Sequence, residues 1–264
     1  MTDRTAPCRA CQVPPASPLT LQMAFQPIVD MSRREVYAYE ALVRGPQGQP
    51  AGWVFEQFQA AQDSAGAPDV GSLYHLDQQC RMTAIRSAAR LGMQTRLSIN
   101  IMPNAVYNPR TCIQATLQTA REVGFPLERL LFEITEHEQV PDAAHVRNII
   151  DTYRAWGFGT ALDDYGAGHA NLGLLLAIRP DVVKIDRTVV SGLHHDRWQQ
   201  AALRHMAQFA REAGVLLVAE GVEDLAEARC LLSLGITHMQ GYALARPGLE
   251  CLPEIAPEVY AQLN

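Results

Sequence analysis

The sequence predicts an α/β protein, a (β/α)8 barrel of the TIM type that is modified by one antiparallel strand. Short apolar strands alternate with helices of about ten or more residues, which is the pattern of parallel βαβ units covered by helices. Seven or eight such units favour a closed barrel, and 264 residues match the size of one. Two small domains fit the length about as well. An open doubly wound sheet is a further alternative, although the first strand-to-helix turn lacks its glycine-rich phosphate fingerprint.

The elements follow in a regular order along the chain. Residues 1–20 are rich in Pro, Thr and Ala without an apolar period, which predicts a flexible tail before one domain over 21–264. Strands at 21–29 and 35–44 are joined by a tight turn and should pair antiparallel. Further strands are predicted at 95–101, 130–134, 159–163, 181–185, 215–220 and 237–242. Helices are predicted at 53–62, 69–92, 109–123, 142–156, 169–178, 196–213, 224–234 and 252–263.

Charge and composition limit the classes of partner. With 48% hydrophobic residues, 19% charged residues and a net charge of −6, the chain has the composition of a soluble globular protein. The acidic balance argues against a broad surface for a DNA or RNA polymer. If the ligand is nevertheless an anion, bound cations must reconcile the two, so clustered carboxylates indicate metals.

Cysteine usage and apolar run lengths predict a cytoplasmic protein without membrane contact. Six cysteines are scattered through a chain that shows no secretory signal, which favours reduced thiols. No apolar run approaches the ~20 residues that a membrane span requires. Cys8 and Cys11 form a CxxC in the tail, but a zinc site needs two further ligands and none is nearby. Two ordinary cysteines are therefore favoured over a redox or intermolecular metal role.

Polar residues recur where the predicted strands end. Because active sites of such barrels are built from the carboxyl ends of the strands, these side chains should converge on one rim. Carboxylates in apolar strands are costly unless they are compensated, and hard divalent cations such as Mg²⁺ or Mn²⁺ suit an all-oxygen set. A bridging carboxylate is what a two-metal centre needs, and Asp163 is the candidate. The rim residues are Glu40, Asn100, Glu133, Asp163, Asp164, Lys184, Glu220 and Gln240.

Lys184 is the only lysine in the sequence, since every other cationic side chain is Arg or His. Its retention indicates a need for a compact ammonium rather than a guanidinium fork. Each rim residue also has a simpler explanation. A strand Glu is commonly ion-paired, an Asp pair before Gly commonly caps a loop, Asn100 could satisfy backbone groups, and Lys184 could pair with Asp164 or Asp186. All of these together would require six strand-end polar residues to coincide by accident, which is the weaker explanation.

The motifs resemble those of the EAL domain family of cyclic di-GMP phosphodiesterases. The family's Glu-Ala-Leu motif corresponds here to Glu40-Ala41-Leu42 within YEALVRG. The other matching segments, in order along the chain, are QPIVD at 26–30, FEITE at 132–136, ALDDYGAG at 161–168, VKIDR at 183–187, VAEGVE at 218–223 and MQGY at 239–242. Seven ordered motifs at compatible spacing are specific, whereas any one of them alone would be weak.

The resemblance implies a modified barrel with one antiparallel strand and an activity. Two Mg²⁺ or Mn²⁺ ions would activate water for in-line attack on cyclic di-GMP, giving linear pGpG. Implied metal ligands are Glu40, Asn100, Glu133, Asp163, Asp164 and Glu220. Implied catalytic roles fall to Lys184 at the attacking water, Glu220 as general base or ligand, Glu223 as its support and Glu136 as a brace for the loop after Asp164. Implied substrate contacts are Gln26, Leu42, Arg44, Asp186 and Gln240. A homodimer and a regulatory protein partner are also expected.

The chain departs from the family pattern in two places. The loop that commonly has DFGTGYSSL is DYGAGHANL, so His169, Ala170 and Asn171 replace Tyr-Ser-Ser. Asn100 is followed by Ile101 and Met102, where the family usually has a Ser two residues after the Asn. No presumed ligand is lost, which favours an active enzyme. The alternatives are a catalytically silent cyclic di-GMP receptor that acts through a protein partner, and an unrelated metal-dependent phosphohydrolase on the same barrel.

Overall fold

The computed structural model describes residues 19–65, 70–134, 143–167 and 172–263. Its strands are β1 (Gln22–Asp30), β2 (Glu35–Arg44), β3 (Arg96–Ile101), β4 (Leu130–Ile134), β5 (Gly159–Tyr165), β6 (Val182–Ile185), β7 (Leu216–Ala219), β8 (His238–Met239) and β9 (Gly248–Leu249). Its helices are α1 (Ala51–Ala65), α2 (Val70–Arg90), α3 (Pro109–Cys112), α4 (Gln114–Val123), α5 (Ala143–Ala155), α6 (Leu172–Ile178), α7 (Arg187–Val190), α8 (Arg197–Ala213), α9 (Leu225–Ser233) and α10 (Pro257–Gln262).

The strands close into a barrel, as predicted. Strands β2 to β8 pair in sequence order and run parallel. Strand β1 is antiparallel to both β2 and β8 and so joins the two ends of the sheet. The short β9 adds to β1 at Ala24 and Phe25. The predicted barrel with one antiparallel strand is therefore confirmed, with β9 as an extra strand.

Alternation along each strand divides the barrel interior into two layers. Ile28, Ala38, Leu131, Ala161, Val182 and Val218, from six different strands, form one buried apolar cluster. Residues from so many strands can meet only inside the barrel. Because side chains two residues apart share a face, the residue two positions after an inward apolar residue also points inward. On β4 and β6, for example, Glu133 follows Leu131 and Lys184 follows Val182, so a polar layer lies directly above the apolar one.

Three predicted elements differ from the observed ones. The helix predicted at 109–123 is divided at Ile113, whose backbone is still helical, into α3 and α4. Of the residues predicted as a strand at 237–242, only His238–Met239 form one, which is β8. The terminal helix predicted at 252–263 begins at Pro257, because Pro253 and Pro257 disfavour helix in the residues before them, whereas Pro257 is tolerated in the first turn.

Several predictions lie outside the described residues. They concern most of the 1–20 tail with Cys8 and Cys11, the brace Glu136, and the altered loop residues His169, Ala170 and Asn171. The extent of the domain over 21–264 stays a prediction. Within the described part of the chain, no helix combines the length and the apolarity needed to cross a bilayer.

Gly241 provides a test of how the end of β8 packs. A Cβ atom at this residue would overlap main-chain atoms of Val222, whereas a Cβ at Gly52 in α1 would meet nothing within 4 Å. We expect Gly241→Ala to lower the free energy of unfolding by more than about 2 kcal/mol, because backbone cannot yield as a side chain does. Gly52→Ala should leave it unchanged or raise it by up to about 1 kcal/mol through helix propensity. Urea unfolding of both variants measures this, and equal stability would contradict the packing.

Candidate active site

The polar layer of the barrel centres on the ammonium of Lys184. This group is buried, and its side chain is only 1% exposed. Its Nζ atom lies 2.7 Å from Glu220 Oε1, 2.8 Å from Glu133 Oε2, 3.1 Å from Asp163 Oδ1 and 3.4 Å from Glu40 Oε2. One cation therefore contacts four carboxylates, and these come from four different strands or strand ends. The simpler explanation, a pair with Asp164 or Asp186, does not describe these four contacts.

The electrostatics of this cluster indicate a shortage of positive charge. Burial raises the pKa of Glu133 to about 8, against the opposing effect of the Lys184 charge. Burial, followed by the charge of Asp163, also raises the pKa of Glu220 well above its ordinary value. Burial acts to lower the pKa of Lys184, but Asp163 and the other carboxylates raise it well above its ordinary value. The ammonium therefore stays charged, and the carboxyl groups need further cations to remain ionised together.

Neighbouring amides and a hydroxyl orient two of these carboxylates. Asn100 Nδ2 donates to Glu40 Oε1 at 3.0 Å, and Gln240 Nε2 donates to Glu40 Oε2 at 2.7 Å. Ser98 Oγ donates to Glu133 Oε1 at 2.5 Å. The sequence analysis missed Ser98, although its place two residues before Asn100 on β3 puts it on the same inward face.

The donor set fits divalent cations. Asp163 belongs to two groups of carboxylates whose ligand atoms lie within 4.8 Å of one another, one with Glu40 and Glu133 and the other with Asp164 and Glu220. The buried Oδ1 of Asn100 has no hydrogen-bond partner in the described part of the chain, as is expected of an oxygen reserved for a ligand. An all-oxygen set of this kind suits Mg²⁺ or Mn²⁺ better than zinc.

A local backbone irregularity allows two consecutive Asp residues to serve the rim. The pairing of β5 with β6 shifts register between Leu162 and Tyr165. Within that shift Asp164 has φ of 52°, and its N–H donates to Asp163 Oδ1 at 3.0 Å. In a regular strand the two side chains would point to opposite faces, so the left-handed residue is what brings both carboxylates to one group.

A pocket of about 250 Å³ opens beside the carboxylates. Three predicted substrate contacts, Gln26, Asp186 and Gln240, line it together with Glu40 and Glu220. Gln240 Nε2 also donates to Gln26 Oε1 at 3.2 Å, which links β1 to the residue that follows the neighbouring strand β8. The structure thus brings these predicted residues together with the carboxylate cluster.

The other predicted contacts are placed less directly. Leu42 lines a second, more apolar pocket of about 620 Å³, which it shares with Asn100 and Asp164. Arg44 lies outside the described lining of both pockets, and its Nη1 donates to Val43 O at 2.8 Å. Glu223 lines the smaller pocket, where its Oε2 accepts from Arg187 Nη2 at 3.0 Å. Its predicted support of Glu220 stays a prediction.

Two further residues of the smaller pocket were missed by the sequence analysis. Arg187 supplies a positive charge, and Tyr242 supplies an aromatic ring that is 50% exposed. The guanidinium carbon of Arg246 lies 4.4 Å from the centroid of that ring. Both pocket residues lie at the end of a family motif, VKIDR or MQGY, so their position was a usable signal.

Comparison with known proteins identifies similar domains. A family model described as "EAL domain" matches residues 17–247. The chain is 27% identical over 234 residues to the blue light- and temperature-regulated antirepressor BluF of Escherichia coli, covering 88% of this chain and 56% of that protein. It is 31% identical over 162 residues to the cyclic di-GMP phosphodiesterase RocR of Pseudomonas aeruginosa, covering 61% of this chain and 41% of that protein. The matches thus span less than two thirds of the length of these relatives.

Comparison with solved structures also identifies similar proteins. A standalone versatile EAL protein from Vibrio cholerae, in its c-di-GMP-bound form, is 38% identical with a TM-score of 0.85, covering 92% of this chain and 99% of that one. BlrP1 of Klebsiella pneumoniae, in a manganese/cy-diGMP complex at pH 9.0, is 30% identical with a TM-score of 0.79, covering 91% of this chain and 59% of that one.

The countercharge role of Lys184 can be tested without any ligand. In metal-free protein we expect Lys184→Met to lower the free energy of unfolding by about 3–5 kcal/mol, because it leaves buried carboxylates uncompensated. Millimolar Mn²⁺ should then raise the melting temperature of the variant more than that of the wild type. As a control, Arg86→Met removes an exposed ion pair with Glu122 and should cost at most about 1 kcal/mol. A variant as stable as the wild type at pH 7 would contradict the role.

Proposed function

The chain belongs to the EAL domain family, and from that premise we propose that it is a divalent-metal-dependent phosphodiesterase that hydrolyses cyclic di-GMP to linear pGpG. The observation that carries the proposal is the convergence of five carboxylates, one amide and the sole lysine in the mouth of the barrel. The name of RocR, a cyclic di-GMP phosphodiesterase, and the cyclic di-GMP in the two structures similar to this chain support the choice of substrate.

The proposed metal ligands are the members of the two carboxylate groups and the amide that contacts them. The chemistry that two bound Mg²⁺ or Mn²⁺ ions supply is a lowered pKa for attacking water and neutralisation of phosphate charge. The manganese in the BlrP1 complex supports this choice of ion. The ligands would be Glu40, Asn100, Glu133, Asp163, Asp164 and Glu220.

Lys184 and Glu220 are proposed to act on the water and the phosphate. The raised pKa of Lys184 keeps its Nζ protonated, so this atom serves as a hydrogen-bond donor and positive charge, and not as a base. Such a charge, fixed in a water-poor site, stabilises the negative charge that develops at phosphorus. Glu220, whose Oε1 lies 2.7 Å from Lys184 Nζ, is proposed as a general base or metal ligand, as the family resemblance implies.

The remaining residues are proposed to hold the dinucleotide. Gln26, Asp186 and Gln240 offer amide and carboxylate groups that can hydrogen-bond to guanine edges. Leu42 provides an apolar wall in the second pocket. Arg44 is proposed to contact a phosphate, as the family resemblance implies. Glu136 is proposed to brace the loop after β5, as the family resemblance implies.

A silent receptor for cyclic di-GMP is the second candidate. BluF supports it, because this relative, which matches 88% of the chain, is named as an antirepressor. Such a receptor would bind the dinucleotide and signal through a protein partner. Tight binding of cyclic di-GMP without formation of pGpG, with either metal present, would favour it over the enzyme.

The enzymatic proposal predicts pGpG from purified protein incubated with cyclic di-GMP and Mg²⁺ or Mn²⁺. Glu40→Ala should lose metal affinity and at least several kcal/mol of transition-state stabilisation, because it removes a ligand that two amides orient. Glu35→Ala is the matched control, since Glu35 lies on the same strand but is exposed and should leave turnover unchanged. Chromatography of the products measures the outcome. No pGpG with either metal, or normal turnover in Glu40→Ala, would refute the proposal.

Lys184→Arg tests the need for a compact ammonium. The variant keeps the charge, but a guanidinium fork cannot occupy the same point among four carboxylates. We expect turnover to fall by at least about 100-fold, the scale of a lost electrostatic stabiliser, with little change in Mn²⁺ affinity. Steady-state kinetics and a Mn²⁺ titration separate the two effects. Near-normal rates would leave Lys184 with a structural role only.

A further inference from the structure

A second buried ion pair lies behind the polar layer, on the inner face of α2. Arg81 Nη2 lies 2.5 Å from Asp77 Oδ2, and the two side chains are 0% and 2% exposed. The two residues lie one helical turn apart on α2, and neither has a part in the proposed chemistry. Burying two charges costs several kcal/mol per ion, and apolar residues of similar volume would commonly be as stable or more so. The position of this pair therefore calls for an explanation other than stability.

The second oxygen of Asp77 contacts the main chain that follows Asn100. Asp77 Oδ1 accepts from the N–H of Met102 at 3.1 Å. The pairing of β3 with β2 ends at Ile99, and its pairing with β4 ends at Ile101. The N–H of Met102 thus lies beyond both ladders, and a main-chain donor in this position needs an acceptor from elsewhere.

A cavity adjoins this end of β3. The pocket of about 620 Å³ is lined by Asp77, Asn100 and Met102 among others, so the strand end borders open space on that side. Arg81 is itself fixed, because its Nη1 donates to Thr116 Oγ1 on α4 at 3.3 Å. A chain of contacts therefore runs from α4 through Arg81 and Asp77 to the residue two positions after Asn100.

From these contacts we infer that Asp77, oriented by Arg81, is a positioning residue that holds the end of β3 so that Asn100 presents its side-chain oxygen to the rim. This inference rests on the proposed function, since it concerns the role of Asn100 as a metal ligand. Asp77 acts through the main chain of Met102 and does not touch a ligand itself. A charged acceptor held by a buried cation has little freedom to move, which explains why a pair occupies this place.

Two double variants separate positioning from stability. The first variant combines Asp77→Leu with Arg81→Met, which replaces the pair by apolar side chains and removes the acceptor. The second combines Asp77→Asn with Arg81→Met, which removes both charges but retains an acceptor oxygen. We expect the first variant to fold with a melting temperature near that of the wild type but to bind Mn²⁺ about tenfold or more weakly, the usual effect of losing an outer support of a ligand. The second should recover affinity to within about threefold of the wild type.

Mn²⁺ affinity is measured by electron paramagnetic resonance of the free ion, without cyclic di-GMP. Equal affinity in all three proteins, or equal loss in both folded variants, would overturn the inference.

Amide hydrogen exchange in the metal-free wild type tests the same contact if the apolar variant does not fold. The Met102 amide should exchange slowly although it lies outside the strand, and exchange as fast as in an unfolded peptide would overturn the inference. Absence of Mn²⁺ binding to the wild type would count against the proposed function, while the exchange experiment still tests the Asp77 contact.

Discussion

The contact of one buried ammonium with four carboxylates is the constraint on which the rest of the site depends. The side chains of Lys184 and Glu133 are almost completely shielded from water. Burial raises the pKa values of Glu133 and Glu220, and the neighbouring carboxylates add to the rise because a single positive charge cannot compensate four negative ones. A cluster that is short of positive charge is suited to divalent cations, and such cations would make the site attractive to the dianionic substrate that we propose.

The barrel can hold this concentration of charge because one layer of inward side chains stabilises the fold and the next layer is available for function. The apolar layer, with Leu131 and Val182 among its members, fills the barrel below the carboxylates and contributes the burial that stabilises the fold. The next inward residue on each strand is then available for chemistry. At Asp164 the backbone leaves regular strand geometry, and that departure adds a second carboxylate at the end of β5.

Much of the fold and the membership of the rim could be predicted from sequence, because strand periodicity and strand-end chemistry are local properties. The alternation along β4 and β6 is visible in five residues, and it places Glu133 and Lys184 on the same inward face. The partners of Lys184 could not be predicted, since neighbours in sequence such as Asp164 and Asp186 are not the neighbours that the barrel brings to its ammonium. The Asp77 contact was missed for the same reason, because it joins a helix to a main-chain group 25 residues away. The late start of α10 was missed although the two prolines signalled it.

Crystals of the protein soaked with Mn²⁺ and cyclic di-GMP, with anomalous scattering recorded for manganese, test the central claim most directly. The proposed site predicts two peaks at the barrel mouth, about 3.5–4 Å apart and sharing Asp163 as a ligand. It also predicts that Lys184 Nζ will have given up some of its four carboxylate contacts to the cations. Absence of manganese at the rim, with Lys184 still in contact with Glu40, Glu133, Asp163 and Glu220, would contradict the account.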